Sequence, residues 1–275
     1  MGENTSIPVM IDSGAFTAWT QGTPIDLDKY ILYLHKLLSK YPNIVYVNLD
    51  VIGDGEASYK NWRTMRKAGL SPMPIYHPNT DIKWLKKYLA KTDYVGIGAI
   101  AKLSGKRRMQ CLDRLWSTCL VDDKSMPAYR IHGMGITSFE LMARYPWFSV
   151  DSTSWIRTGM YGSLYIPQRI NGQWCYSKTP RVLSFSTGSP SAKEKDKHIT
   201  TVSPATKTLL LAYLKELGVA YGKTKVVDGK EVVEVGVSNH YVVRDNANLI
   251  FYDKFVQTLV WPRPFEVKRT KGFLE

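Results

Sequence analysis

The sequence predicts an α/β fold of the (β/α)8 TIM-barrel type, incomplete or rearranged, with a C-terminal helix and hairpin extension. Three observations carry this. Between residues 8 and 151, six short apolar runs alternate with segments of helical period, the order that gives a parallel sheet with crossover helices. Ile44-Val-Tyr-Val-Asn-Leu-Asp50 is apolar almost throughout, as strands buried on both faces are. Nearly every run closes in a polar or small residue, and that edge is where a barrel holds its chemistry.

Val9-Met-Ile11 leads into Asp12 and the turn-forming Ser13-Gly14. Leu27 to Leu38 sets Tyr30, Ile31, Leu34, Leu37 and Leu38 at helical spacing, and Pro42 closes it. After the strand ending at Asp50, a helix is expected over Glu56 to Ala68, stopped by Gly69, then a strand Met73 to His77 before Pro78. A helix over Ile82 to Leu89 precedes the strand Tyr94 to Gly98. A basic stretch from Lys102 to Arg108 leads into a helix through Cys119. Tyr129 to His132 forms the fifth strand, Ser138 caps a short helix, and Trp147 to Asp151 is the sixth strand. Residues 156–200 show no clear period, and Ser189 to His198 reads as an exposed lysine-rich loop. Ser203-Pro204 starts a helix to Leu217, Val226 to Val235 is a hairpin turning at Asp228-Gly229, and a last helix over Ala247 to Leu259 precedes a basic tail. The motif-bearing core is expected over 1–157. Residues 158–275 are expected to complete or flank it within one domain.

Composition narrows the function. A chain of 275 residues, 44% hydrophobic and 22% charged, buries a sizeable core and is not disordered throughout. No apolar run approaches the roughly 20 residues that span a bilayer, and Met1 to Ser6 lacks the pattern of a signal peptide. A soluble, cytoplasmic protein is expected. Cys111, Cys119 and Cys175 form no CxxC pair, and their odd number argues against a disulfide framework. The net charge of +13 favours a polyanionic partner such as nucleic acid. Phosphate-loop, HExxH and GxSxG motifs are absent, which disfavours kinases, zinc proteases and α/β-hydrolases.

Asp12, Asp50 and Asp151 each end a strand. Paired carboxylates suit displacement at a sugar carbon: one attacks the anomeric carbon, the other manages the proton of the departing or incoming base. A strand-end aspartate also serves as a cap or turn former. His77 and His132 sit at strand ends too, where a satisfied structural histidine is the competing reading. Phe16 and Trp155 are placed to stack on a base or to pack in the core.

Together these residues resemble the tRNA-guanine transglycosylases and their DNA-acting relatives, the compact phage-type deazaguanine transglycosylases of the DpdA kind. Ile11-Asp12-Ser-Gly-Ala-Phe16 is similar to the family's TDSGGFQ motif, which implies Asp12 as general acid/base and Phe16 stacked on the base. Asp50 and His77 fall where the family binds the guanine. Gly96-Ile-Gly98-Ala99 is similar to the GGLA segment, and Arg130-Ile-His132-Gly133-Met-Gly135 to the LMGVG strand, adding Gly98, Ala99, His132 and Gly133 to the base site. Val150-Asp151-Ser-Thr-Ser-Trp-Ile-Arg157 is similar to FDCVxPTR, implying Asp151 as nucleophile and Arg157 near nucleic acid. Lys102, Lys106, Arg107 and Arg108 would hold phosphates.

Ala15 and Thr17 depart from the motif, as does the missing proline before Arg157. The family's two leading strands are not seen ahead of Asp12, nor the CxCxxC zinc subdomain after Asp151. These departures move the expectation from tRNA toward DNA. No zinc or other cofactor is expected, with a free 7-deazaguanine such as preQ0 as co-substrate. The alternatives are a tRNA enzyme, another phage base-hypermodifying glycosyl enzyme, and a non-catalytic nucleic-acid-binding protein on a degenerate barrel.

Overall fold

A computed structural model describes residues 9–99, 103–136, 138–228 and 230–266. It is a mixed α/β protein divided into two compact units. The first comprises the described parts of Met1–Ile136, Arg144–Asp151 and Trp261–Glu275, the second those of Thr137–Ala143 and Ser152–Val260.

The first unit opens with β1 (Met10–Ile11), α1 (Ala15–Gln21), α2 (Leu27–Leu38), β2 (Val45–Tyr46) and α3 (Gly55–Lys67). β3 (Ile75–Tyr76), α4 (Ile82–Leu89), β4 (Tyr94–Ile97) and α5 (Gly105–Leu115) follow, and a π turn over Trp116–Leu120 prolongs α5. β5 (Arg130–Gly133), α6 (Phe139–Arg144) and β6 (Ser149–Val150) complete the alternation, with α6 crossing into the second unit. Capping explains several helix starts. Asp26, Asp54 and Asp81 accept the Lys29, Ala57 and Lys83 N–H groups at 2.9, 2.9 and 2.8 Å, beginning α2, α3 and α4. α1, not foreseen from the sequence, lies between Gly14 and Gly22, both left-handed with φ of 73° and 67°.

All six strands run parallel, in chain order. β1 pairs with β2, and β3, β4, β5 and β6 pair in succession. A single Val47–Met73 bridge joins the two groups. Asn48 supplements it across that seam, accepting the Ile75 N–H on Oδ1 at 2.8 Å. β1, β2, β3 and β6 are two residues each, shorter than the apolar runs that encode them, whereas β4 and β5 keep four.

The row is strongly curled. Laid flat, strands about 4.8 Å apart would separate the first and sixth by about 24 Å. Instead one cavity of about 680 Å3 touches the amino-terminal ends of all six, from Met10 through Tyr46, Met73, Tyr94 and Arg130 to Ser149. Within the curl, Val47, Met73 and Ile75 form a buried cluster with Met10, Tyr94 and Met134 against it. No described ladder joins β1 to β6, and none of the later strands joins the parallel row. The parallel α/β alternation is thus present, without a closed barrel among the described residues.

The second unit holds α7 (Ser154–Met160), β7 (Ser163–Ile166), β8 (Gln168–Ile170), β9 (Gln173–Cys175) and β10 (Arg181–Ser184). α8 (Pro204–Glu216), the hairpin β11 (Lys223–Val227) and β12 (Lys230–Glu234), and α9 (Tyr241–Gln257) follow. β7 pairs antiparallel with β10, and Leu164, Leu183, Phe185, Leu210 and Tyr213 share one core. The sequence shows no period in 156–200 because these strands are three or four residues long. The lysine-rich loop contains a 3-10 turn, Pro190–Lys193. α9 begins earlier than its apolar pattern suggests because its first turns bury polar groups. Arg244 donates to the Gly159 and Val237 carbonyls at 2.6 and 2.8 Å, and Asn248 accepts the Tyr165 N–H at 2.9 Å. The Gly229 half of the hairpin turn and the end of the basic tail lie outside the described residues.

Leu34 is fully buried in the α2 core cluster, while Leu32 on the same helix is exposed. Leu34→Ala is expected to cost about 2–5 kcal/mol, and Leu32→Ala to stay within about 0.5 kcal/mol of wild type, as measured by urea unfolding.

Candidate functional site

The carboxyl ends of the curled strands carry Asp12, Asp50, His77, His132 and Asp151. Asp12 follows β1 in a turn that Gly14 makes possible; its Oδ1 accepts the Ser13 N–H at 2.7 Å. Asp50 follows β2 and is buried. Its Oδ2 lies 2.8 Å from His77 Nε2, and its Oδ1 accepts from Ser13 Oγ at 3.3 Å. Gly53 N–H approaches His77 Nδ1 at 3.4 Å, which leaves the imidazole proton on Nε2, facing Asp50. One buried carboxylate therefore links the ends of β1, β2 and β3.

At the other side, Asp151 follows β6 and keeps 53% of its side chain exposed, whereas His132 at the end of β5 is 2% exposed. Asp151 Oδ1 accepts the Gly135 N–H at 2.6 Å, which the left-handed Gly135 (φ 65°) presents to it. His132 Nε2 stands 3.5 Å from the same oxygen without a hydrogen bond of ordinary geometry. Its Nδ1 lies 2.8 Å from Ser149 Oγ, which in turn lies 2.8 Å from Tyr94 Oη.

Asp12 and Asp151 are electrostatically distinct. Both reach solvent, yet each has enough protein around it for burial to weigh on its charge. Burial pushes the Asp12 carboxyl above its ordinary value; the Ser13 N–H works against this, and the charges of Asp50 and Asp151 add to it. Burial would raise Asp151 as well, but His132 and the Gly135 N–H together hold it below its ordinary value. Asp12 and Asp151 close the first and the last strand of the parallel row, and the charge of Asp151 acts on Asp12. Two like groups held at different pKa values can take opposite proton roles.

A neighbouring cavity of about 300 Å3 is walled by Ala15, Ala18, Trp19, Pro24 and Ile25, with Asp50 on its lining. Asn61 is the other polar side chain on it, and mostly apolar walls with two polar groups suit a flat heterocycle. Phe16 and Trp19 lie exposed on α1 with ring centroids 6.2 Å apart. Gly98 and Gly133 sit at the ends of β4 and β5, where protein fills the space beside them. A β-carbon on Gly98 would come within 2.9 Å of Ile75 and 3.1 Å of His77, and one on Gly133 within 2.6 Å of Ile136. Ala99 holds a left-handed φ of 57°, a strained backbone at the site's edge.

The basic residues are placed less tightly. Lys106 and Arg107 are exposed in the first turn of α5, and Arg108 donates to the Leu103 carbonyl at 2.9 Å. Lys102 lies outside the described residues. Arg157 is exposed on α7, in the second unit. Ser13, Ser149, Tyr94 and Trp19 enter the site without having been proposed for it. Ser149 was legible: it lies two residues before Asp151, hence on the same strand face.

Among the described residues, no group of three His, Cys, Asp or Glu side chains could hold a metal ion, and no helix is long and apolar enough to cross a membrane. Comparison of the chain with protein-family models, curated protein sequences and solved structures finds no match in any of the three.

His77→Ala strands Asp50 in a buried position, so a loss of about 3–5 kcal/mol is expected in urea unfolding; a histidine serving only to touch a ligand would leave stability unchanged. The two outer carboxylates have opposite linkage. A raised folded-state pKa gives stability below the unfolded value that is lost as pH rises, so ionised Asp12 detracts from stability at neutral pH. A lowered one gives stability at neutral pH that is lost as pH falls, so Asp151 contributes there. Asp12→Asn is therefore expected to unfold at higher urea than wild type at neutral pH and Asp151→Asn at lower urea, with the latter difference vanishing in acid.

Proposed function

We propose that the protein is a nucleic-acid base-exchange enzyme that replaces guanine in DNA by a 7-deazaguanine of the preQ0 type, through a covalent glycosyl-aspartate intermediate. The observation that carries this reading is the pair of carboxylates that close β1 and β6, Asp12 turned onto the Ser13 N–H at 2.7 Å and Asp151 anchored by the Gly135 N–H at 2.6 Å with His132 behind it; burial raises the first, and His132 with the Gly135 N–H lowers the second. We read the curled row of six strands as a reduced (β/α) barrel whose carboxyl-terminal rim is the active site.

In this mechanism Asp151 is the nucleophile. Its Oδ1 is anchored by the Gly135 N–H, so Oδ2 attacks C1′ of the nucleotide. The glycosidic C–N bond breaks, and guanine leaves with the electron pair and a proton from Asp12. The ionised Asp12 then takes a proton from the incoming deazaguanine. That base attacks C1′, and Asp151 departs as a free carboxylate. The raised pKa of Asp12 suits a group that must first hold and then accept a proton, and the lowered one of Asp151 suits an attacking carboxylate. The cavity beside Asp50 and Trp19 is the place for the base. Phe16 and Trp19 offer stacking surface.

A duplex hides C1′, so the nucleotide has to be flipped out or already unpaired. The net charge of +13 supports a polyanionic substrate, with Lys106, Arg107, Arg108 and Arg157 as candidate phosphate ligands and binding that weakens steeply with salt.

The test is incubation of the protein with radiolabelled preQ0 or guanine and either duplex DNA or tRNA. Label is expected in DNA, whereas label in tRNA alone would reassign the substrate. Asp151→Asn is expected to lower incorporation by at least about a thousandfold and to abolish the covalent adduct on denaturing gels. Incorporation by Asp151→Asn at the wild-type rate would remove the nucleophile from this scheme.

A further inference from the structure

The side chains behind Asp151, a buried His132 and the half-buried Ser149 and Tyr94, are not used by the exchange chemistry, yet they form a continuous line through the curled sheet. Tyr94 starts β4 and Ser149 starts β6, both on the lining of the 680 Å3 cavity at the amino-terminal rim. Tyr94 Oη and His132 Nδ1 each lie 2.8 Å from Ser149 Oγ, and His132 Nε2 lies 3.5 Å from Asp151 Oδ1. The register explains the meeting, because His132 and Ser149 are paired residues of β5 and β6. The Tyr94 ring is held in place by an edge contact with Phe148 at 5.4 Å and by the Arg130 guanidinium 5.1 Å from its centroid.

We propose that Tyr94 and Ser149 fix the tautomer of His132, with its proton on Nε2, and that His132 is thereby a positioning residue for Asp151. The direction follows from donor and acceptor counting. Ser149 has one proton to give. If Tyr94 O–H donates to Ser149 and Ser149 O–H donates to Nδ1, then Nε2 carries N–H toward Asp151. The reverse direction turns a bare nitrogen lone pair toward a carboxylate, inside a ring that is 2% exposed. A histidine whose second nitrogen is engaged presents the first in a defined state. The groups around Asp151 are His132 from β5, the Gly135 N–H from the loop after it, and Asp12 from the end of β1; only His132 is set by the relay. The tautomer itself is independent of the base-exchange reading, and its kinetic role rests on Asp151 being the nucleophile.

The experiment is nitrogen-15 NMR of the full-length, histidine-labelled protein, which has five histidines, with His132 assigned from the signals lost in His132→Gln. At neutral pH the Nε2–H tautomer is expected for His132. Ser149→Ala should turn its signals into those of mixed tautomers and move the carbon-13 titration midpoint of Asp151 up toward the ordinary carboxylate value, while Ser149→Thr restores both. Tyr94→Phe, which keeps the ring and removes only the hydroxyl, should give a weaker shift in the same sense and covers the case of a Ser149→Ala that does not fold. An Nδ1–H tautomer, a doubly protonated ring at neutral pH, or a tautomer unmoved in the folded variants would overturn the proposal. None of these measurements uses substrate, so they stand apart from any failure of base exchange; if exchange is confirmed, Ser149→Ala should slow adduct formation without weakening DNA binding.

Discussion

The seam between β2 and β3 is the constraint on which the rest of the first unit depends. Only the Val47–Met73 bridge crosses it as strand pairing, so side chains take over the work of the ladder. Asn48 accepts the Ile75 N–H, Tyr46 Oη accepts the Ser71 N–H at 2.7 Å, and Asp50 meets His77. Each is a bond between a polar group and a buried partner, costly to leave unmade. If this seam opened, the two-stranded part carrying Asp12 would separate from the four-stranded part carrying Asp151. The junction between the strand that carries Asp12 and those that lead to Asp151 is therefore held by two backbone hydrogen bonds of the bridge together with Asn48, Tyr46 and the Asp50–His77 pair.

The strand ends can hold these polar groups because the loops there have backbone freedom the strands lack. Gly14 and Gly135 adopt left-handed conformations that point backbone N–H groups inward, and Ala99 is forced into the same region. The acidic groups then differ by surroundings alone. Asp50 is buried and bonded on both oxygens, Asp12 feels two neighbouring carboxylates, and Asp151 is held as an anion by a backbone donor and an imidazole. Three residues of one type thus have three different dispositions, as the proposed exchange chemistry requires.

Much of this was legible in the sequence. The alternation of apolar runs with helix-periodic segments located all six parallel strands, and the 3.6-residue spacing found α2 and α4 at their observed bounds. The strand-end rule picked out Asp12, Asp50, His77, His132 and Asp151, all of which the first unit brings to one rim. α1 and α7 escaped because each is only seven residues long and carries no side-chain cap. The short antiparallel strands of 156–200 escaped for want of length. Partners escaped too: nothing in the spacing says that His77 faces Asp50, or that the bare flanks of Gly98 and Gly133 are filled by protein, since both follow from inter-strand register.

The position of Asp50 has a consequence for anything that binds there. Its two oxygens already serve Ser13 on one side and His77 on the other, so a ligand donating to this carboxylate enters as a competitor and has to displace or share with one of them. Giving up the Ser13 contact would loosen the turn that carries Asp12; giving up His77 would relax the junction of β2 and β3. Occupancy of the cavity beside Asp50 and the posture of Asp12 are thereby thermodynamically linked through a single side chain.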